Sequence, residues 1–177
     1  LARTDDMTHL LNRHGFAQAS FELWQECQYK KTDCSLLLIQ VDKFSNISQE
    51  YGSATEELVL NSVAKSLAQA VSENAILARW SNETFIVQLP KTDQLQAILV
   101  AEDLRQSLAN QPIPYGDESI AITACIGVAG SNLKHLNGLP LAECELEDLI
   151  GYAKDALYKA KMEGRDTVFA SHLLLQP

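Results

Sequence analysis

Few residues of this chain stand where they could do chemistry together. The stretch ILARWSNETFIVQLP, residues 76–90, sets two apolar runs around Ser81-Asn82-Glu83-Thr84. That pattern is expected to form a β-hairpin with Asn82 at the turn, because asparagine tolerates positive φ. It leaves one carboxylate, Glu83, at the tip. Lys161 and Arg165 lie four apart near the end of a helical pattern. They read equally as a solvated basic helix end that complements the dipole or as a grip for an anion. Cys27, Cys34, Cys125 and Cys144 include no C-x-x-C pair, and His9, His14, His135 and His172 lack metal-ligand spacing. Buried, reduced thiols are the expectation.

The elements that would position these groups alternate between helical and strand patterns. Asn12 is placed to cap a helix through Phe16, Ser20, Leu23, Trp24 and Cys27. The run 35–41, SLLLIQV, reads as a strand buried on both faces. A short helix is expected over 42–48, and Ser53-Ala54-Thr55-Glu56 has capping-box form at the start of a longer one. After the hairpin, Asp93 can cap a helix that turns Leu95, Leu99, Leu104 and Leu108 inward. Residues 111–117 read as a loop, 119–129 as a strand and 130–140 as a loop. Glu143, Glu145, Glu147 and Asp148 load the start of a last helix, which Gly164 terminates before a final strand over 166–170. Strands interleaved with helices, plus one hairpin, indicate an α+β sandwich with a mixed sheet.

A length of 177 residues suits one domain, here taken as residues 1–177, with an opening segment 1–11 and a linker 171–177. Leu1 is not an initiator methionine, so a piece of a longer protein is expected. No apolar run approaches the ~18–20 residues that span a bilayer. The 14 basic and 23 acidic residues give a net charge of −9. That balance sets DNA aside and disfavours RNA, whose partners carry a basic footprint. A small nucleotide held by a few local cations stays compatible with it.

Four blocks, in order, carry a resemblance. Residues 2–16, ARTDDMTHLLNRHGF, are similar to D-x-L-T-G-L-x-N-R-x-x-F. Residues 36–52, LLLIQVDKFSNISQEYG, resemble L-D-x-D-x-F-K-x-I-N-D-x-x-G. ARWSNETF stands where A-R-x-G-G-D/E-E-F would. Residues 153–168, AKDALYKAKMEGRDTV, resemble A-D-x-A-L-Y-x-A-K-x-x-G-R-N-x-V. Over nearly its whole length the chain thus resembles the GGDEF domains, the diguanylate cyclases that join two GTP molecules into cyclic di-GMP. The resemblance implies a palm-like cyclase fold, a mixed five-stranded central sheet surrounded by helices.

The departures from that pattern shape the functional expectation. The family's strand carboxylate, which holds Mg²⁺ against the GTP phosphates, falls on Gln40, and a neutral amide replaces hard anionic oxygen poorly. Glu83 keeps the hairpin ligand, but the metal positions Gln40 and Glu83 are expected to be empty. Asp42 survives without being the family's principal ligand. Ser81 and Asn82 replace two glycines, and Thr84 replaces the next acid before Phe85. The guanine-contacting positions fall on Ser48 and Glu57, and the phosphate-gripping ones on Lys161 and Arg165, with Arg79 beside the hairpin. The product-inhibition pair falls on Ser72 and Ala75, and is lost. Losing one preorganised charge-stabilising group typically costs about 10²–10³ in rate, and several are missing here.

The expectation is therefore a degenerate, catalytically silent domain with Ser81, Asn82, Glu83, Thr84 and Phe85 as its remnant motif. It would act as a regulatory module in cyclic di-GMP signalling. Its partners would be adjoining domains of a longer chain, an EAL phosphodiesterase domain or a sensor, with dimerisation open and GTP bound weakly. No cofactor is expected, Mg²⁺ entering only with GTP. A cytoplasmic placement is implied, with any membrane anchor lying outside this segment. The alternative is a residual diguanylate cyclase that still converts two GTP to cyclic di-GMP.

Overall fold

The computed structural model describes residues 2–132 and 144–171. Helix α1 (Arg13–Lys30) leads to β1 (Cys34–Val41), α2 (Phe44–Tyr51) and α3 (Ala54–Ala70). The hairpin β2 (Ile76–Ser81) and β3 (Thr84–Pro90) follows, then α4 (Gln94–Ala109). Short strands β4 (Ile113–Tyr115) and β5 (Glu118–Ile120) precede β6 (Ala124–Gly130), α5 (Leu146–Met162) and β7 (Thr167–Ala170). Five strands make one sheet in the order β2-β3-β1-β6-β7, antiparallel except for the parallel pair β6-β7. This is the mixed five-stranded α+β sandwich expected from the sequence.

The period of two along each strand divides the core in half. Leu37, Ile39 and Val41 of β1, with Phe85 and Val87 of β3, face α2, α3 and α4. Leu36 and Leu38, with Ile86, face α1 and α5. β1 is central and closed on both sides, so its apolar run needs no polar alternation. Each such leucine or isoleucine contributes about 1.5–3 kcal/mol by leaving water. On the second face α5 packs against β6 so closely that a Cβ on Gly127 would lie 2.7 Å from Leu157 Cα.

Asn12 caps α1 as expected, its side chain accepting from Gly15 N–H at 2.9 Å. Asp93 likewise caps α4 in a full capping box with Gln96. Several local expectations fail for identifiable reasons. Ser53 makes no side-chain cap bond; Glu56 instead accepts from Ser48 Oγ at 2.5 Å. On α4 the buried stripe is Ala97, Ala101, Leu104 and Leu108, while Leu95 and Leu99 face outward. In the first half of the helix the inward positions go to alanines, Ala97 and Ala101, where α4 packs over β6 and β7.

Residues 111–117 are not plain loop, since Ile113 and Ile120 are both buried and pair in the β4-β5 hairpin. The strand expected over 119–129 is consequently broken at 121–123. The loop over 130–140 falls mostly outside the described residues, as do Glu143 and the segment 172–177. Gly164 does follow α5, at φ +107°, but Arg165 and Asp166 continue the left-handed path at +70° and +44°.

Candidate functional site

The carboxyl end of β1, the β2-β3 hairpin and the α5-β7 loop converge on one end of the sheet. β1 and β3 run antiparallel in a register that sets Gln40 directly opposite Thr84. Across that pair Gln40 Nε2 donates to Thr84 Oγ1 at 3.1 Å. Thr84 is buried. Two neutral side chains thus satisfy one another at the place where the resemblance puts carboxylates. Val41 N–H donates to Glu83 O at 3.1 Å, fastening the hairpin to the strand through main chain. The Glu83 carboxylate accepts from Asn82 Nδ2 at 3.3 Å, on the exposed tip.

The tip forms around Asn82, but without the positive φ that motivated its placement. A register shift between Arg79 and Ser81 leaves Trp80 as a bulge. That bulge supplies the extra strand twist a mirror-image turn would otherwise provide. Trp80 meets Phe16 edge-on, with the Arg13 guanidinium 3.9 Å from its ring centroid.

Arg79 is committed to structure. Its guanidinium donates to both Asp5 carboxylate oxygens at 3.1 Å and to Asn82 O at 2.8 Å. It therefore clamps the opening segment to the hairpin tip across 74 residues of sequence. Burial works to raise the Asp5 pKa, but the Thr8 hydroxyl and N–H and the Arg79 guanidinium outweigh it. They hold the carboxyl below its ordinary 3.8. A depressed carboxylate stabilises above its unfolded pKa and loses that contribution as pH falls through the folded one. The protection of the amides at residues 82–84, relative to their intrinsic exchange at the same pH, is accordingly expected to fall as pH drops below about 4. Asp5→Asn should bring the same loss of protection at neutral pH, at a cost of about 1–2 kcal/mol.

Asp42 is equally occupied. It is buried, and it accepts from Thr123 Oγ1 at 2.8 Å, Cys125 Sγ at 2.9 Å and Asp166 N–H at 2.8 Å. Burial, with the bonded Asp42 carboxylate, pushes the Cys125 thiol up to about 12. These bonds tie the end of β1 to β6 and to the loop after α5. Nothing in the sequence pairs Asp42 with Thr123 or Asp166, and the strand spacing alone would not have found them.

The remaining candidates do not assemble. Ser48 spends its hydroxyl on Glu56, while Glu57 is exposed in the first turn of α3. Lys161 is half-buried in the last turn of α5, whereas Arg165 lies beyond the helix in the left-handed loop, so the two do not share a helical face. Ser72 and Ala75 sit in the turn before β2, Ala75 N–H donating to Ser72 O at 3.1 Å.

A magnesium ion, which the resemblance implies, does not fit this donor set. Gln40 presents its amide N–H to Thr84, and Asp42 meets three donors. The Glu83 carboxylate accepts from Asn82 Nδ2 and is one anionic group at the tip. Among the described residues no three His, Cys, Asp or Glu side chains cluster for a metal. Nor, among them, is any helix long and apolar enough to cross a membrane.

Comparison with known proteins gives a consistent result. The family model described as "Diguanylate cyclase, GGDEF domain" matches residues 2–167. Diguanylate cyclase A of Treponema denticola is 34% identical over 97% of this chain, which spans 45% of that protein. The FimX GGDEF domain of Pseudomonas aeruginosa superposes with a TM-score of 0.83 at 21% identity, over 95% of this chain and 99% of that one. The diguanylate cyclase SiaD of the same organism, solved with its activator SiaC, gives a TM-score of 0.84 at 25% identity. That match covers 96% of this chain and 62% of SiaD.

Proposed function

Because the chain belongs to the GGDEF domain family of the diguanylate cyclases, we propose that it serves cyclic di-GMP signalling as a catalytically silent regulatory domain. The observation that carries this reading is the Gln40–Thr84 hydrogen bond. Cyclisation of GTP needs charge clamped on the phosphates and an activated 3′-hydroxyl, and both jobs ask for anionic oxygen near a divalent cation. A neutral amide bonded to a neutral hydroxyl offers neither. Asp42 cannot turn to the task without abandoning three donors, the buried Cys125 thiol and the partly buried Thr123 hydroxyl and Asp166 N–H.

On this reading the chain's own residues do structural work at the old site. Gln40 and Thr84 seal the β1-β3 seam, Arg79 clamps the tip to the opening segment, and Asp42 anchors the α5-β7 loop. The domain then acts through adjoining parts of a longer protein, an EAL or sensor domain, or through a bound protein, as SiaD is found with SiaC. The chain spans less than half of the curated relatives it matches, which agrees with a module whose partners lie elsewhere in its polypeptide.

Titration with GTP and Mg²⁺ in a calorimeter tests this. Binding should be absent or millimolar, and a concentrated sample incubated with both should yield no cyclic di-GMP. A low-micromolar Kd would overturn the loss of nucleotide recognition. Product that disappears in Glu83→Ala would establish the residual-cyclase reading instead.

A further inference from the structure

Away from the hairpin, two cysteines meet where α1 hands over to β1. Cys27 lies in the last turn of the helix and Cys34 opens the strand. The chain between them reverses through Lys31 at φ +53°, and Thr32 N–H closes back on Cys27 O at 3.0 Å. Both residues are buried, at 2% and 0% exposure. The Gln88 amide of β3 donates to Cys34 Sγ and to Ser20 O, each at 3.4 Å. Ser20 precedes Cys27 by seven residues, two turns on the same helical face. Cys34 Sγ therefore faces the side of α1 that carries Cys27, both side chains lie in one buried cluster, and each thiol shifts the titration of the other.

Cys27 also borders a cleft of about 330 Å³ with Lys30, Thr32, Pro90 and Lys91, room for a small oxidant but not for a protein thiol. The hydrogen bond from Cys34, aided by Thr32 and the Lys91 backbone, outweighs burial and holds the Cys27 thiol below its ordinary range. The same bond and burial push Cys34 up. Cys27 borders the cleft and Cys34 does not, so Cys27 is the member that an entering oxidant meets first. The remaining cysteines are inert by comparison, since burial raises Cys125 to about 12 and Cys144 to about 11.

We propose that Cys27 and Cys34 form a hydroperoxide-sensitive dithiol, a modification site in which Cys27 is oxidised first and Cys34 closes the disulfide. The site is independent of the nucleotide reading. The Cys27 thiolate attacks the distal oxygen of a hydroperoxide. The O–O bond breaks, an alcohol or water leaves with one proton, and Cys27 becomes a sulfenic acid. Cys34 sulfur then attacks Cys27 sulfur, forming the S–S bond and expelling hydroxide, which takes the Cys34 proton as water. Two thiols are oxidised by two electrons and one peroxide is reduced. The product closes an eight-residue loop and pins the end of α1 to the start of the central strand.

The test treats the reduced chain with hydrogen peroxide in modest molar excess and maps thiols by peptide mass spectrometry. The expected product is an intramolecular Cys27–Cys34 linkage, lighter by two hydrogens, formed while Cys144 is still reduced. Cys34→Ser should stop at a dimedone-trappable sulfenic acid on Cys27. Cys27→Ser should slow the oxidation of Cys34 at least tenfold. The proposal is overturned if Cys144 oxidises first, or if the wild-type chain retains both thiols under conditions that oxidise free glutathione. The wild-type mapping decides the matter even where a variant fails to fold.

Discussion

Asp42→Ala is expected to lower the thermal midpoint by roughly 10 °C, equivalent to about 3–4 kcal/mol for a domain of this length. The carboxylate is buried among three donors that reach it from different elements: Thr123 Oγ1 just before β6, Cys125 Sγ within β6 and the Asp166 N–H after α5. A bond to a charged acceptor contributes about 1.5–3 kcal/mol, and alanine would leave all three donors unpaired together. The contributions are not additive, because they share one acceptor and the hydroxyl can find another partner. The loop is hit hardest. Arg165 and Asp166 hold positive φ without glycine, a conformation that costs energy and persists only while its surroundings insist on it. Arg105 retains Asp166 by its side chain at 2.8 Å, so the loop should loosen rather than detach. Differential scanning fluorimetry reads the shift. A midpoint within 2 °C of wild type would mean that Asp42 holds nothing together.

That dependence illustrates what the sequence could and could not disclose. The succession of main helices and strands along the chain, the helix starts at Asn12 and Asp93 and the hairpin all follow from local pattern, and each forms. Local pattern fails where a distant partner decides the outcome. Ser53 has the form of a cap, yet Glu56 lies within reach of Ser48 and bonds there instead. Leu95 and Leu99 keep helical spacing, but in the first half of α4 it is Ala97 and Ala101 that face the sheet, in line with the buried Leu104 and Leu108. Pro112, Pro114 and Gly116 suggest a loop, and the burial of Ile113 against Ile120 overrides them. At the candidate site the substitutions at Gln40 and Thr84 are legible as missing acids. Their mutual hydrogen bond is not, because it depends on the register of two strands 44 residues apart. The ion pair of Asp5 with Arg79 is hidden for the same reason.

If Gln40 and Thr84 form a neutral seal over a former cation site, restoring the acids should make the fold depend on a cation. The double variant Gln40→Asp, Thr84→Glu is expected to lose roughly 3–5 kcal/mol in the presence of chelator. The two positions are directly opposed and Thr84 is 4% exposed, so two carboxylates would face each other with little water between them. Like charges so placed raise one pKa strongly. A group whose folded pKa is raised supplies stability at low pH and loses it as pH rises through that value. The variant should therefore be more stable at pH 5 than at pH 8. Mg²⁺ or Mn²⁺ would recover much of the loss, since a ligand at one hundred times its Kd returns about 2.7 kcal/mol. The unaltered chain, whose amide and hydroxyl bond each other, should show the same midpoint in chelator and in Mg²⁺. A divalent-dependent rise in the wild-type midpoint that Glu83→Ala abolishes would refute the seal. So would a double variant as stable in chelator as its parent, because the opposed pair would then not be confined.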